Sequence, residues 1–330
     1  IFRDARIWIN GFYLGHEPSG YATQVYDITE YLNYGEENLI CVRADATLEE
    51  GWFYEGAGIY RHVWLNKTVP LHVAPFGTFV HSTLAAPFDK AKLTIETTVE
   101  NSGLQTEDYR LCHILRDADG KEVARCETAG KPVLPKDRQL TVGEIALDKP
   151  HLWSVDTPYL YTLVTKVMRN EECVDRYTTP VGIRTFSFDT RKGFILNGRQ
   201  TKINGVCMHH DLGCLGAAVN TRAIERQLQI LKEMGCNGIR CSHNPPAPEL
   251  LDLCDRMGFI VMDEAFDMWR KKKTAHDYAR YFNEWHERDL NDFILRDRNH
   301  PSVFMWSIGN EVLEQWSDAK ADTLSLEEAN

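Results

Sequence analysis

Hydrophobic and polar positions alternate with a period of two through the first half of the chain and take on a helical period near its end. Ala5-Arg6-Ile7-Trp8-Ile9 alternates and runs into Asn10-Gly11, a pair suited to the positive φ angles of a tight hairpin turn. Further strands are predicted over 23–28, 38–44 and 60–65. Together they make residues 1–70 part of a β-sandwich, with fewer strands than a complete one needs. Alternation resumes over 92–100, 109–115 and 159–167, with an Asp119-Gly120 turn between strands. About seven short strands at such spacing predict an immunoglobulin-like sandwich over 71–183.

The pattern then changes. Over 184–330, short apolar runs at 202–206, 237–240, 259–263 and 302–308 read as buried strands. Between them lie helical stretches. Residues 221–235 place Ile224, Leu228, Leu231 and Met234 on one face and stop at Gly235. Residues 248–257 carry Leu250, Leu251, Leu253, Cys254 and Met257 and stop at Gly258. Residues 278–296 carry Phe282, Trp285, Leu290 and Phe293. Strands separated by helical crossovers imply a parallel sheet, and four such units are the first half of a (β/α)8 barrel. The expected fold is multidomain: a partial jelly-roll sandwich, an immunoglobulin-like sandwich, then half a TIM barrel.

Composition narrows the function without choosing it. The formal charge of −11 argues against nucleic acid or an acidic membrane as the main partner. No apolar run approaches the roughly 18 residues needed to span a bilayer. A neutral sugar suits this balance. Nine cysteines without any Cys-x-x-Cys pair speak against zinc ribbons and thioredoxin-like chemistry and read as buried free thiols. The compartment stays open between periplasm and cytoplasm.

Candidate chemistry collects where barrel enzymes carry it, at the C-terminal ends of the strands. The four strands run into Met208-His209-His210-Asp211, Arg240-Cys241-Ser242-His243-Asn244, Asp263-Glu264-Ala265-Phe266-Asp267 and Gly309-Asn310-Glu311. The stretch from Asn299-His300-Pro301 to Gly309-Asn310-Glu311 resembles the acid/base signature of glycoside hydrolase family 2, which includes β-galactosidases and β-glucuronidases. Asn204-Gly205-Val206-Cys207-Met208-His209, Ile239-Arg240-Cys241-Ser242-His243-Asn244-Pro245-Pro246 and Val261-Met262-Asp263-Glu264-Ala265-Phe266 are similar to its first three barrel strands. Asn10-Gly11 with Gly15, His16, Gly20 and Tyr21, and Gly58-Ile59-Tyr60-Arg61, resemble its sugar-binding jelly roll.

The resemblance implies a retaining exo-β-glycosidase, with β-galactosidase the favoured activity. Glu311 would be the general acid/base and Asn310 would bond the sugar 2-hydroxyl. His243 and His209 would bond substrate hydroxyls, and Arg240 would hold the nucleophile carboxylate. That nucleophile belongs to the seventh strand in the family, so the expectation is that it lies beyond this chain, that the chain is truncated at both ends, and that it is inactive alone. Glu264 and Asp263 match a different family motif. The magnesium ligands of some family members have no counterpart in Asp267-Met268-Trp269-Arg270, so no metal and no cofactor are expected. The expected partner is a small carbohydrate, and a homo-oligomer is compatible with the family. The alternatives are a β-glucuronidase or β-mannosidase, or a non-catalytic carbohydrate-binding scaffold.

Plainer readings stand beside these. Glu311 could be a surface glutamate opening a helix, His243 a packing residue beside Pro245-Pro246, and Arg240 a structural ion-pair partner. His210 could exchange roles with His209. Asp267 and Trp269 read equally as pocket lining or as loop and core. Lys271-Lys272-Lys273 reads as a solvated loop, and Trp52-Phe53-Tyr54 as either core or a reach toward the site.

Overall fold

The structure is a computed structural model and describes residues 1–48 and 56–316. Trp52-Phe53-Tyr54 and the acidic stretch 317–330 lie outside the described residues.

The N-terminal region forms a three-stranded antiparallel sheet in the order β2-β1-β3, from β1 (Ala5–Ile9), β2 (Phe12–Glu17) and β3 (Ile40–Arg43). Asn10 and Gly11 make the predicted hairpin turn, both with positive φ. The strands expected over 23–28 and 60–65 are instead irregular. Just before the second, Gly58 makes an isolated bridge to Phe2, and the Tyr60 carbonyl accepts from Val219 N–H (2.9 Å), while Val63, Trp64 and Leu65 stay exposed. Alternation makes a strand only where a second strand satisfies its peptide groups, and none flanks these segments among the described residues.

Seven antiparallel strands follow. Three form one sheet in the order β4-β5-β8, from β4 (Leu71–Leu84), β5 (Lys90–Asn101) and β8 (Asp137–Asp148). Four form a second in the order β10-β9-β6-β7, from β6 (Arg110–Arg116), β7 (Glu122–Ala129), β9 (Tyr161–Arg169) and β10 (Glu172–Val181). Leu93, Ile95 and Ile145 of the first sheet share a core with Leu115, Leu163 and Val181 of the second. A small sheet of β11 (Phe186–Asp189), β12 (Gly193–Leu196) and β13 (Arg199–Gln200) leads on.

The last region is a parallel sheet in the order β14-β15-β16-β17, from β14 (Gly205–Met208), β15 (Gly238–Cys241), β16 (Ile260–Glu264) and β17 (Val303–Ser307). Its helices are α1 (Thr221–Glu233), α2 (Pro248–Met257) and α3 (Ala279–Asp297). Strand β14 begins later than the apolar run at 202–206 suggests, because Asn204 and Asn237 tie that stretch down: Asn204 N–H donates to Asn237 Oδ1 (2.8 Å) and Asn237 N–H to the Asn204 carbonyl (2.9 Å). Helix α1 is capped by Asn220, which accepts from Ala223 N–H. It buries Ile224 and Leu228, but Met234 is exposed, because it lies past the last helical turn. Helix α2 has Pro248 in its first turn and ends at Gly258 in the left-handed conformation, φ +75°. A Cβ there would stand 2.3 Å from the Val155 carbonyl oxygen, so glycine lets the sandwich touch the barrel sheet.

Contacts fix how the regions meet. Asn299 bonds the backbone of Thr78 and Val80, Arg184 donates to the Pro301 and Val303 carbonyls, and Trp153 Nε1 donates to the Asp255 carbonyl (2.8 Å). These lie by helix α2 and at the N-terminal end of β17, away from the strand ends that carry the candidate chemistry. The N-terminal region meets the other side. Arg61 donates to the carbonyls of Tyr21 (3.2 Å), Pro245 (2.8 Å) and Pro246 (3.1 Å), so it braces the loop after β15. Of the nine free cysteines only Cys112, Cys241 and Cys254 are buried; Cys41, Cys173, Cys207 and Cys214 are exposed, which corrects the expectation of buried thiols.

Candidate active site

Strand register builds the site. Arg240 pairs with Met262, and Glu264 pairs with Ser307. Met262 and Glu264 are two residues apart, so Arg240, Glu264 and Ser307 share one face of the sheet, and Asp263 takes the other. Glu264 is fully buried and saturated. It accepts from Arg240 Nε (3.1 Å) and Nη2 (3.0 and 2.9 Å), and from Ser307 Oγ (2.7 Å); His243 Nδ1 lies 2.6 Å away. Burial alone would raise this carboxyl. The hydrogen bonds from His243 and Ser307 and the Arg240 charge outweigh it and hold Glu264 below the ordinary glutamate range. An ionised carboxylate only accepts, so His243 carries its proton on Nδ1.

Asn310, also buried, follows β17. Its Oδ1 accepts from Arg240 Nη2 (2.8 Å), its Nδ2 donates to Asp267 Oδ1 (2.9 Å), and its N–H donates to the Phe266 carbonyl (3.0 Å). A guanidinium only donates and a carboxylate only accepts, so the amide cannot be turned round. Glu311 differs. Its side chain is 59% exposed and its φ is +46°, in the left-handed region. Trp269 packs under this turn and donates Nε1–H to the Ile308 carbonyl (2.7 Å). A Cβ on Gly309 would stand 2.7 Å from that nitrogen, so the approach requires glycine.

His209, at the end of β14, sets its ring edge-on to His243 with centroids 5.4 Å apart. Burial, and then the neighbouring His243, push it below the ordinary histidine range, so it is neutral at pH 7. His210 turns the other way and packs on Tyr21 (4.9 Å) and Tyr60 (6.2 Å).

The structure thus gathers Arg240 and His243 around Glu264, ties Asn310 to Arg240, sets His209 beside His243, and puts Glu311 exposed just beyond β17. Arg240's carboxylate partner among the described residues is Glu264. Two participants went unnoticed in the sequence. Ser307 could have been found, because it sits at the end of a strand beside Glu264. Lys273 could not, and the structure corrects its reading as part of a solvated loop. Its side chain is 4% exposed, and Nζ donates to Asp267 Oδ1 (2.8 Å) and the Asn310 carbonyl (2.7 Å) and lies 3.7 Å from Glu311 Oε2.

A parallel strand–helix sheet carried behind a β-sandwich, with carboxylates gathered at its strand ends, has the layout of a segment of a barrel-type hydrolase. Residues 189–326 match the family model described as glycosyl hydrolases family 2, TIM barrel domain, and residues 71–184 match the model described as glycosyl hydrolases family 2. The chain belongs to glycosyl hydrolase family 2. It is 69% identical to the β-galactosidase BoGH2A of Bacteroides ovatus over 331 aligned residues, 100% of this chain and 39% of that protein. It is 37% identical to a putative β-glucuronidase of Formosa agariphila, across 94% of this chain and 29% of that protein. A crystal structure of a family 2 member from Bacteroides cellulosilyticus superposes with a TM-score of 0.93 at 40% identity, covering 98% of this chain and 41% of that one. The chain therefore spans about two fifths or less of the length of these relatives.

Proposed function

We propose that these residues form the acid/base side of the active site of a retaining exo-β-glycosidase that removes terminal β-galactosyl groups. The observation that carries this reading is the contrast between two carboxyls at neighbouring strand ends. Glu264 is sealed in and held ionised by its donors, so it cannot exchange a proton with a ligand. Glu311 stands exposed at the end of β17. In this reading Glu311 protonates the leaving oxygen and later takes the proton of the attacking water. Asn310 keeps one Nδ2 hydrogen for the sugar 2-hydroxyl, aimed by Arg240 and Asp267. His243 and His209 take other hydroxyls. Neither Glu264 nor Asp263 is assigned as nucleophile. That carboxylate, roughly 5–5.5 Å from the acid/base in a retaining enzyme, belongs outside the four strand ends described.

One observation favours a galactoside over a glucuronide. The Bacteroides ovatus relative is named a β-galactosidase. The test is a panel of aryl β-galactoside, β-glucuronide and β-mannoside offered to the full-length protein and its Glu311→Gln variant. Galactoside hydrolysis lowered at least about a hundredfold by Glu311→Gln is expected. Retained sugar binding without turnover of any of the three would support a binding scaffold instead.

A further inference from the structure

Lys273 is a charged side chain that the loop after β16 carries into the interior, and the loop is built to put it there. The Asp277 carboxylate accepts from the N–H groups of Lys273 (2.6 Å), Thr274 (2.8 Å) and Ala279 (3.1 Å), and Glu314 accepts from Lys271 N–H (2.7 Å). With the backbone pinned on both sides, the ammonium lies among three oxygens: Asp267 Oδ1 at 2.8 Å, the Asn310 carbonyl at 2.7 Å and Glu311 Oε2 at 3.7 Å. An ammonium has three hydrogens. Two are spent on Asp267 and Asn310, and the third faces Glu311. Asp267 in turn accepts from Asn310 Nδ2, so one buried cation ties the carboxylate, the backbone and the side chain that define the Asn310-Glu311 turn.

We propose that Lys273 is a positioning residue for proton transfer. It holds the turn that aims Glu311 and supplies a fixed positive charge beside the carboxylate that Glu311 becomes. This rests on the glycosidase reading. In the step served, the Glu311 proton passes to the glycosidic oxygen, the electron pair of the C–O bond goes to that oxygen, and the anomeric carbon bonds to an enzyme carboxylate. The alcohol leaves neutral and Glu311 is left negative, next to an ammonium already desolvated and in place. A preorganised charge of this kind needs no reorganisation as the negative charge develops.

A proton donor matters only when the leaving group needs a proton, and that separates this role from a structural one. Lys273→Gln in the full-length protein keeps a hydrogen-bonding chain and removes the charge. The expected result is a kcat/KM lowered about tenfold to a hundredfold on phenyl β-galactoside, while that on dinitrophenyl β-galactoside, whose departure needs no proton, falls much less. Lys273→Arg, which keeps the charge, should hold the ratio of the two substrates near that of the parent and serves if the glutamine variant does not fold. Equal losses on both substrates in a folded Lys273→Gln, or a ratio disturbed as much by arginine as by glutamine, would overturn the proposal. Glu311→Gln measured on the same pair tells the two readings apart. If it fails to discriminate between the substrates, the glycosidase reading itself is wrong. If it discriminates and Lys273→Gln does not, only the role of Lys273 falls.

Discussion

Removing the Arg240 guanidinium should destabilise the barrel region strongly at neutral pH and much less in acid. Glu264 is fully buried, and Arg240 supplies three of its contacts, at 2.9–3.1 Å. Breaking a buried ion pair from one side costs about 3–5 kcal/mol, because the remaining charge is left uncompensated. The Arg240 side chain is 29% exposed, so part of its attraction is already screened. Glu264 also keeps His243 and Ser307 as partners. Against this, Arg240→Met orphans Asn310 Oδ1, a loss of about 1 kcal/mol. A net cost of about 2–4 kcal/mol follows. The pH dependence carries the sign. In the parent protein Glu264 titrates below the glutamate value of 4.5, so its pairing stabilises the fold above that pH and is lost as pH falls through the lowered value. In Arg240→Met, loss of the guanidinium charge moves the Glu264 carboxyl up from its parent position, so the penalty shrinks as pH falls and the carboxyl takes up a proton. Denaturant unfolding of both proteins at pH 7 and at about pH 4 reads this directly. A difference below about 1 kcal/mol at neutral pH, or one as large in acid as at neutral pH, would refute the reasoning.

Two further outcomes concern the seam between the sandwich and the barrel sheet. Gly258→Ala forces a left-handed residue to carry a Cβ into the Val155 carbonyl and should lower stability by about 2–4 kcal/mol in the same unfolding assay; an unchanged midpoint would mean that the seam yields easily. His300 faces Asp255 at 2.6 Å. Burial opposes its charge, but Asp255 outweighs burial and raises the histidine from 6.5 to about 9. A raised histidine stabilises fully below its unfolded value and loses that contribution as pH rises through about 9. The parent should therefore weaken between about pH 6.5 and 9, and His300→Gln should flatten that decline.

Periodicity was a good guide to local structure wherever local structure was decided locally. Helix α2 begins at Pro248 and ends against Gly258 as the stop signals demand, and Asn10-Gly11 turns its hairpin. It misled at 23–28 and 60–65, where the pattern of a strand exists but no strand lies alongside among the described residues. Whether alternation becomes a strand depends on a partner remote in sequence.

The candidate site divides along the same line. The sequence alone determined which side chains stand at the strand ends, because a strand of known direction delivers its last residues there: His209, Arg240, His243, Glu264 and Asn310-Glu311 all follow from strand order. It could not say which carboxyl is sealed and which is open. That was decided by register, which put Ser307 and Arg240 on the same face as Glu264 and left Glu311 one turn further on in solvent. Nor could it separate Lys273 from Lys271 and Lys272, three identical residues in a row. Only the folded loop, drawn in by the Asp277 and Glu314 carboxylates, buries one of them against Asp267 and Asn310. A side chain's environment comes from contacts across the chain, and an ammonium goes inside only where the tertiary structure has already gathered oxygens to receive it.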